Sequence, residues 1–150
     1  MKTNWQLKQF GELTPEELYQ ILRLRSEVFV VEQNCVFLDM DNKDQSSWHL
    51  MGWQDGLLAA YTRLLPPGLS YEEMSIGRVV SSPAVRGTGI GRELMLESIS
   101  ACRKLFGNGP IRIGAQLYLK KFYASLGFIA EGDIYLEDGI EHVEMRMPGT

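Results

Sequence analysis

The sequence predicts an α/β (α+β) sandwich, a mixed and largely antiparallel sheet flanked by helices, in a single domain over residues 1–150. Three observations carry this expectation. Strand-like and helix-like stretches follow one another as strand, helix, strand meander, helix, strand, helix, hairpin, not as the regular βαβα alternation of a doubly wound sheet. Two Asp-Gly pairs, Asp55-Gly56 and Asp138-Gly139, each separate runs of strand character and mark tight hairpins. The composition, 45% hydrophobic and 23% charged, is that of an ordinary globular domain.

Trp5 to Lys8 alternates as a half-buried strand does. Thr14-Pro15-Glu16-Glu17 then opens a helix with agreeing signals: Thr14 as N-cap, Pro15 at the first helical position, Glu17 as capping-box partner. Leu18, Ile21, Leu22, Arg25 and Phe29 continue at helical spacing, so this helix is expected to reach about Val30. Glu32 to Ser47 is polar and acidic and reads as a loop. Strands are expected at Trp48 to Trp53, Leu57 to Leu65 and Met74 to Ser81, the second stopped by Pro66-Pro67-Gly68. A helix carrying Leu94, Met95, Ile99 and Cys102 on one face ends before Gly107-Asn108-Gly109-Pro110. A short buried strand at Ile111 to Ala115 precedes a helix from Leu117 to Leu126, with Gly127 as its left-handed terminator. Phe128 to Leu136 and Ile140 to Met147 form the closing hairpin.

Between the fourth strand and the second helix lies Arg86-Gly87-Thr88-Gly89-Ile90-Gly91. Alternate glycines leave the backbone bare, so its amides can approach a ligand closely. The following helix aims its unsatisfied N–H groups and the positive end of its dipole at the same place, and Arg86 adds a cation. The combination suits a phosphate or pyrophosphate. A dinucleotide fold needs G-x-G-x-x-G directly after a strand, whereas Arg92 stands where the third glycine belongs and Pro83 intervenes. No Gly-Lys-Ser/Thr closes the loop as in a P-loop. Asp39-Met40-Asp41 is no EF-hand, since Asp44 replaces the required glycine and Leu50 the terminal Glu.

The loop fits the R/Q-x-x-G-x-G/A pattern, and Phe122-Tyr123-Ala124-Ser125-Leu126-Gly127-Phe128 is similar to a second signature of the same group. On these motifs the chain resembles the GNAT-type N-acetyltransferases over nearly its whole length. Val30-Val31-Glu32-Gln33-Asn34-Cys35, followed by Asp41, Asp44 and His49, is similar to the ElaA-like branch. The resemblance implies a splayed strand pair holding acetyl-CoA as co-substrate. It implies backbone contacts from Val79, Val80 and Ser81, and a phosphate cradle from Arg86, Gly87, Thr88, Gly89, Ile90, Gly91 and Arg92. Gln116 would contact the cofactor where many relatives carry Asn. The side chains of Val79 and Val80 serve equally well as sheet core.

Acetyl transfer to an amine requires a neutral nucleophile, a stabilised oxyanion and a protonated leaving thiolate. The resemblance assigns the last task to Tyr123, whose phenol class holds its proton at neutral pH, and the oxyanion to a strand amide near Val80. No Glu precedes the loop on its strand; Arg78 stands there and cannot accept a proton. Candidate bases are therefore Glu32, His49 and His142, with a water chain as the alternative. A non-catalytic acyl-CoA-binding sensor or interaction module is the competing reading, against which Tyr123 speaks.

The net charge of −4 argues against nucleic acid as partner. The expected partner is a small-molecule or peptide amine. Glu32, Asp39, Asp41 and Asp44 read either as a solvated loop or as an acidic wall attracting a cationic one. Cys35 and Cys102 sit in no ligand spacing and read as reduced thiols, no metal is expected, and a homodimer is allowed. With no signal-like or membrane-spanning run, the expected location is cytoplasmic.

Overall fold

The computed structural model describes residues 2–150; Met1, the first residue of the expected domain, lies outside them. Seven strands form one sheet: β1 (Asn4–Gln9), β2 (Trp48–Gln54), β3 (Leu57–Leu65), β4 (Met74–Ser81), β5 (Ile111–Gln116), β6 (Ile129–Glu137) and β7 (Ile140–Met147). Their spatial order is β1-β2-β3-β4-β5-β7-β6, and every pairing is antiparallel except β4 with β5. The expected sheet, its hairpins and its element order are thus present. The helices are α1 (Pro15–Arg25), α2 (Ile90–Phe106) and α3 (Lys120–Ala124).

The sequence signals at α1 act as expected: Thr14 Oγ1 accepts from Glu17 N at 3.1 Å, and Glu17 returns a carboxylate to Thr14 N at 2.8 Å. The helix departs from expectation at its far end. After Arg25 the winding loosens into a π-helical turn over Ser26–Glu32, with Gln33 N bonded to Val28 O and Cys35 N to Val30 O. A π turn shifts the residues beyond it around the helix axis and is common at functional sites. The loop accordingly begins at Gln33, one residue later than the composition suggested. The region expected as one helix from Leu117 to Leu126 starts as a 3₁₀ turn, Leu117–Leu119, and closes through Gly127 at φ +106°, with Phe128 N reaching back to Tyr123 O.

α1 and α2 cover opposite faces of the sheet. Ile21, Leu24 and Val28 pack with Met51, Leu58 and Tyr61 on one side. Leu94 of α2 packs with Leu50, Ala59 and Ala60 on the other, where Thr62 also meets Ser98 at 2.7 Å. Adjacent strand residues point to opposite faces, so Tyr61 and Thr62 serve different helices. Met95 and Cys102 of α2 share a third cluster with Tyr123 and Phe128.

Two irregularities open the sheet. β4 and β5 pair only at Met74↔Ile111 and Ser75↔Arg112, then diverge. The β3–β4 register also slips between Tyr61 and Arg63, opposite Arg78, which adopts φ +51°. A non-glycine residue there is uncommon and signals a locally imposed bulge.

Candidate active site

The divergence of β4 from β5 leaves a cleft of about 530 Å³. Ile76 to Ser81 form one wall and Ile113, Gly114 and Gln116 the other. The π turn and the following loop cover it through Phe29, Glu32, Gln33 and Cys35, and the β6–β7 turn contributes Glu137, Asp138 and His142. Val79, Val80 and Ser81 therefore line the cleft, while the Val80 side chain is also buried against α1's cluster. The Val79 and Val80 side chains are thus packed as sheet core while both residues line the cleft.

At the cleft mouth, the first turn of α2 is capped by Gly89 at φ +83°, with no side chain supplying a capping bond. Gly87 also lies at positive φ, +80°, and a Cβ at either glycine would meet only open space. These glycines are present for backbone conformation, not for close packing. Among the described residues, none of the backbone N–H groups from Arg86 to Arg92 donates to a protein acceptor. A run of unsatisfied donors at a helix N-terminus is an anion cradle. Arg86 and Gly91 line the cleft, whereas Gly87, Thr88 and Gly89 form its exposed rim. Ile90 buries its side chain in the core, and Arg92 turns aside to Ser125 Oγ at 3.2 Å. Those two side chains are thus engaged away from the exposed rim, while their backbone N–H groups remain without protein acceptors.

The Arg86 guanidinium is not free. It holds Glu32 in two parallel hydrogen bonds, both 2.6 Å. Hydrogen bonding to Arg86, aided by its charge, keeps the Glu32 carboxyl below the ordinary range against the opposing effect of desolvation. Glu32 is consequently a poor proton acceptor in this arrangement. Next to it, the Gln33 and Gln116 amides exchange hydrogen bonds at 3.1 and 3.3 Å, joining the end of the π turn to β5 across the cleft.

Tyr123 lines the cleft with only 5% of its surface exposed. Its ring packs edge-on against Phe122 and Phe128, and its hydroxyl makes no protein hydrogen bond among the described residues. Burial raises its pKa above the ordinary phenol value, so the proton is retained at neutral pH. His142, opposite Gln116 in the β5–β7 register, is also buried and lines the cleft. Its Nδ1 lies 2.7 Å from Ile140 O, an acceptor only, which fixes the proton on Nδ1 and leaves a lone pair on Nε2. Nε2 has Glu137 at 3.6 Å and no hydrogen bond.

His49, the third candidate base, is elsewhere. It is buried with Nδ1 2.6 Å from the Tyr61 hydroxyl and Nε2 2.9 Å from Asp44 O, and it does not line the cleft. Burial holds it neutral by lowering its pKa. Both ring nitrogens are committed, so the candidacy is corrected: His49 is a structural histidine.

Neither reading of the acidic stretch stands for Asp39, Asp41 and Asp44. Asp44 Oδ1 receives Arg25 at 2.8 Å and Arg63 at 3.0 Å, Asp39 receives Arg25 at 2.8 Å, and Asp41 accepts two bonds from Arg63 at 2.7 and 2.8 Å. Arg25 is 0% exposed. Arg78, at the bulge, adds its Nε 2.8 Å from Asp39 Oδ1 and bonds Asp39 O at 2.7 Å. These carboxylates are spent on internal arginines, and they pin the loop and the bulge together. The signal was in the sequence: Arg25 sits on α1's apolar face and Arg63 within an apolar strand, positions where a cation must find carboxylates.

Residues 13–148 match the acetyltransferase (GNAT) domain family. A UPF0039 protein of Synechocystis sp. is 44% identical over 151 residues, covering 99% of this chain and 98% of the relative. Among solved structures, an acyl-CoA N-acyltransferase from Pseudomonas aeruginosa is 44% identical, with a TM-score of 0.93 over 97% of this chain and 99% of that one. The ElaA structure from Escherichia coli is 39% identical, with a TM-score of 0.91 at the same two coverages. No helix among the described residues is long and apolar enough to cross a membrane.

Proposed function

Because the chain belongs to the acetyltransferase (GNAT) family, we propose that it is an N-acetyltransferase that moves an acetyl group from acetyl-CoA to a primary amine by direct attack in a ternary complex. The observation that carries this reading is one cleft lined by an unpartnered anion cradle at one end and an unpartnered tyrosine hydroxyl within. The residues present fit an acyl-CoA. The amides of Arg86 to Arg92 suit a diphosphate, and the β4 edge unpaired beyond Ser75 suits an extended chain with amide groups.

Bound there, the thioester supplies an activated acyl group. His142 Nε2, its lone pair exposed to the cleft and its tautomer fixed by Ile140, accepts a proton from the incoming ammonium. An amide of β4 near Val80 donates to the carbonyl oxygen as negative charge collects on it. Tyr123 delivers its proton to the departing sulfur. The hydroxyl's freedom from protein partners leaves that proton available, and its raised pKa keeps it in place until sulfur acquires charge.

The experiment is calorimetry with acetyl-CoA together with a thiol-release assay over an amine panel. Binding with release on at least one amine is expected. Binding with no release on any amine supports the sensor reading instead.

A further inference from the structure

Three carboxylates of the cleft, Glu32, Glu137 and Asp138, behave differently from those of the buried network. Among the described residues, the Glu137 side chain forms no ion pair or hydrogen bond beyond its approach to His142, and Asp138 forms no side-chain hydrogen bond or ion pair. Glu32 is engaged, but by the one arginine that the anion cradle needs. Among the described residues, the arginines and lysines that line the cleft are Arg78 and Arg86. Arg78 is neutralised by Asp39, which leaves Arg86 as the cation that can change partners. Two polar side chains more than nine-tenths buried, Tyr123 and His142, present an unbonded hydroxyl and an unbonded Nε2 to this cleft, so the acidic groups surround a place built for a ligand.

Resting on the acyltransferase reading above, we propose that Glu32 is an internal stand-in for the donor's diphosphate, and that its release on donor binding completes a carboxylate seat, with Glu137 and Asp138, for an acceptor amine bearing a second positive charge. The geometry favours the exchange. A carboxylate and a phosphate both fit a guanidinium through two parallel hydrogen bonds, so they compete for the same face of Arg86. The phosphate has in addition the free amides of the cradle, which Glu32 does not reach. Once displaced, Glu32 stays in the cleft wall, because Gln33 beside it is tied to Gln116. The cleft then holds Glu32, Glu137 and Asp138 with no side-chain cation left to neutralise them. A monoamine would use His142 alone; a diamine or a cationic peptide amine would use His142 with one nitrogen and the carboxylates with the other.

The test has two arms on the full chain. Calorimetry with CoA compares wild type, E32Q and R86A. E32Q is expected to bind CoA about two- to fivefold more tightly, since the ligand no longer breaks an exposed ion pair, while R86A binds more weakly. Initial rates at saturating acetyl-CoA then compare 1,4-diaminobutane with n-butylamine at low salt. Wild type is expected to favour the diamine by about tenfold in kcat/KM, with the ratio falling on added salt and falling in E32Q and in E137Q/D138N. A ratio near one in wild type, a ratio unmoved in both variants, or turnover of neither amine overturns the acceptor class. Weaker CoA binding in R86A without tighter binding in E32Q overturns the exchange and leaves the acyltransferase reading standing. Wild type that binds no CoA removes that reading, and the proposal with it.

Discussion

Replacing Tyr123 by Phe deletes one oxygen from a residue whose ring is held on two sides by Phe122 and Phe128. The hydroxyl makes no protein hydrogen bond, so its loss leaves no orphaned partner, and the usual penalty of about 1–3 kcal/mol for such an orphan does not arise. Stability should therefore stay within about 0.5 kcal/mol of wild type, the range for substitutions without a named structural cost. Acetyl-CoA affinity should be nearly unchanged, because the hydroxyl matters only once sulfur carries charge. Turnover should fall by about 10²-fold, the lower end for a positioned general acid, and by less where water substitutes. Thermal unfolding, calorimetry with acetyl-CoA and steady-state thiol release read the three quantities separately. Wild-type kcat in the Phe variant refutes the acid role. Loss of folding and binding together refutes it differently, by showing that the hydroxyl is structural.

Asp44→Asn leaves Arg25 and Arg63 facing each other without their shared carboxylate, and should cost about 3–5 kcal/mol, or about 10 °C in Tm, measured by calorimetric or circular-dichroism melts. Burial works to raise the Asp41 and Asp44 carboxyls, but bonds and charge from Arg63 and, at Asp44, Arg25 outweigh it and hold both below the ordinary range. Their stabilisation is thus complete above the unfolded value near 3.9 and lost as pH falls through the lowered folded values, so urea midpoints should drop below about pH 4. His49, kept neutral by burial, acts in a higher window: the unfolded chain takes up its proton near pH 6.5 and the folded chain does not, so stability should decline from about pH 6.5 downward, a slope that His49→Gln removes. Arg86→Ala should weaken CoA by about three- to tenfold. That lies toward the low end for a charge-assisted contact, because the wild-type side chain is 41% exposed and must first release Glu32. His142→Gln should lower kcat while leaving acetyl-CoA affinity nearly unchanged; unchanged turnover assigns deprotonation to water.

Much of the fold was legible because it rests on local chemistry. The Thr14 box, the Asp-Gly turns and the glycine run each specify backbone geometry within a few residues, and the structure has them where the sequence places them. The cleft was legible only through resemblance, since the parting of β4 from β5 joins segments more than thirty positions apart and has no local sign. The acidic stretch misled for the same reason. Nothing near Asp39, Asp41 or Asp44 reveals that Arg25, Arg63 and Arg78 approach from three other elements. His49 and His142 look alike as strand histidines, and only the third dimension separates the one with both nitrogens committed from the one with a free Nε2. The left-handed Arg78 and the π turn are equally silent, each being imposed by its surroundings on residues with no preference for it.

With only two rungs joining β4 to β5, the sheet behaves mechanically as two plates sharing a short seam at one end: β1 to β4 on one side, β5, β7 and β6 on the other. Across the open end the side-chain ties among the described residues include the pair of amides on Gln33 and Gln116 and the Cys35 Sγ bond to Asp138 O, with α2 and α3 bracing from outside. A molecule laid along that gap and bonded to both edges acts as a set of added rungs. Its binding should stiffen the whole sheet, well beyond the residues it touches. Amide exchange should slow along Ile76–Ser81 and Ile113–Gln116, and also in the outer hairpin, whose opening otherwise needs only the short seam to yield.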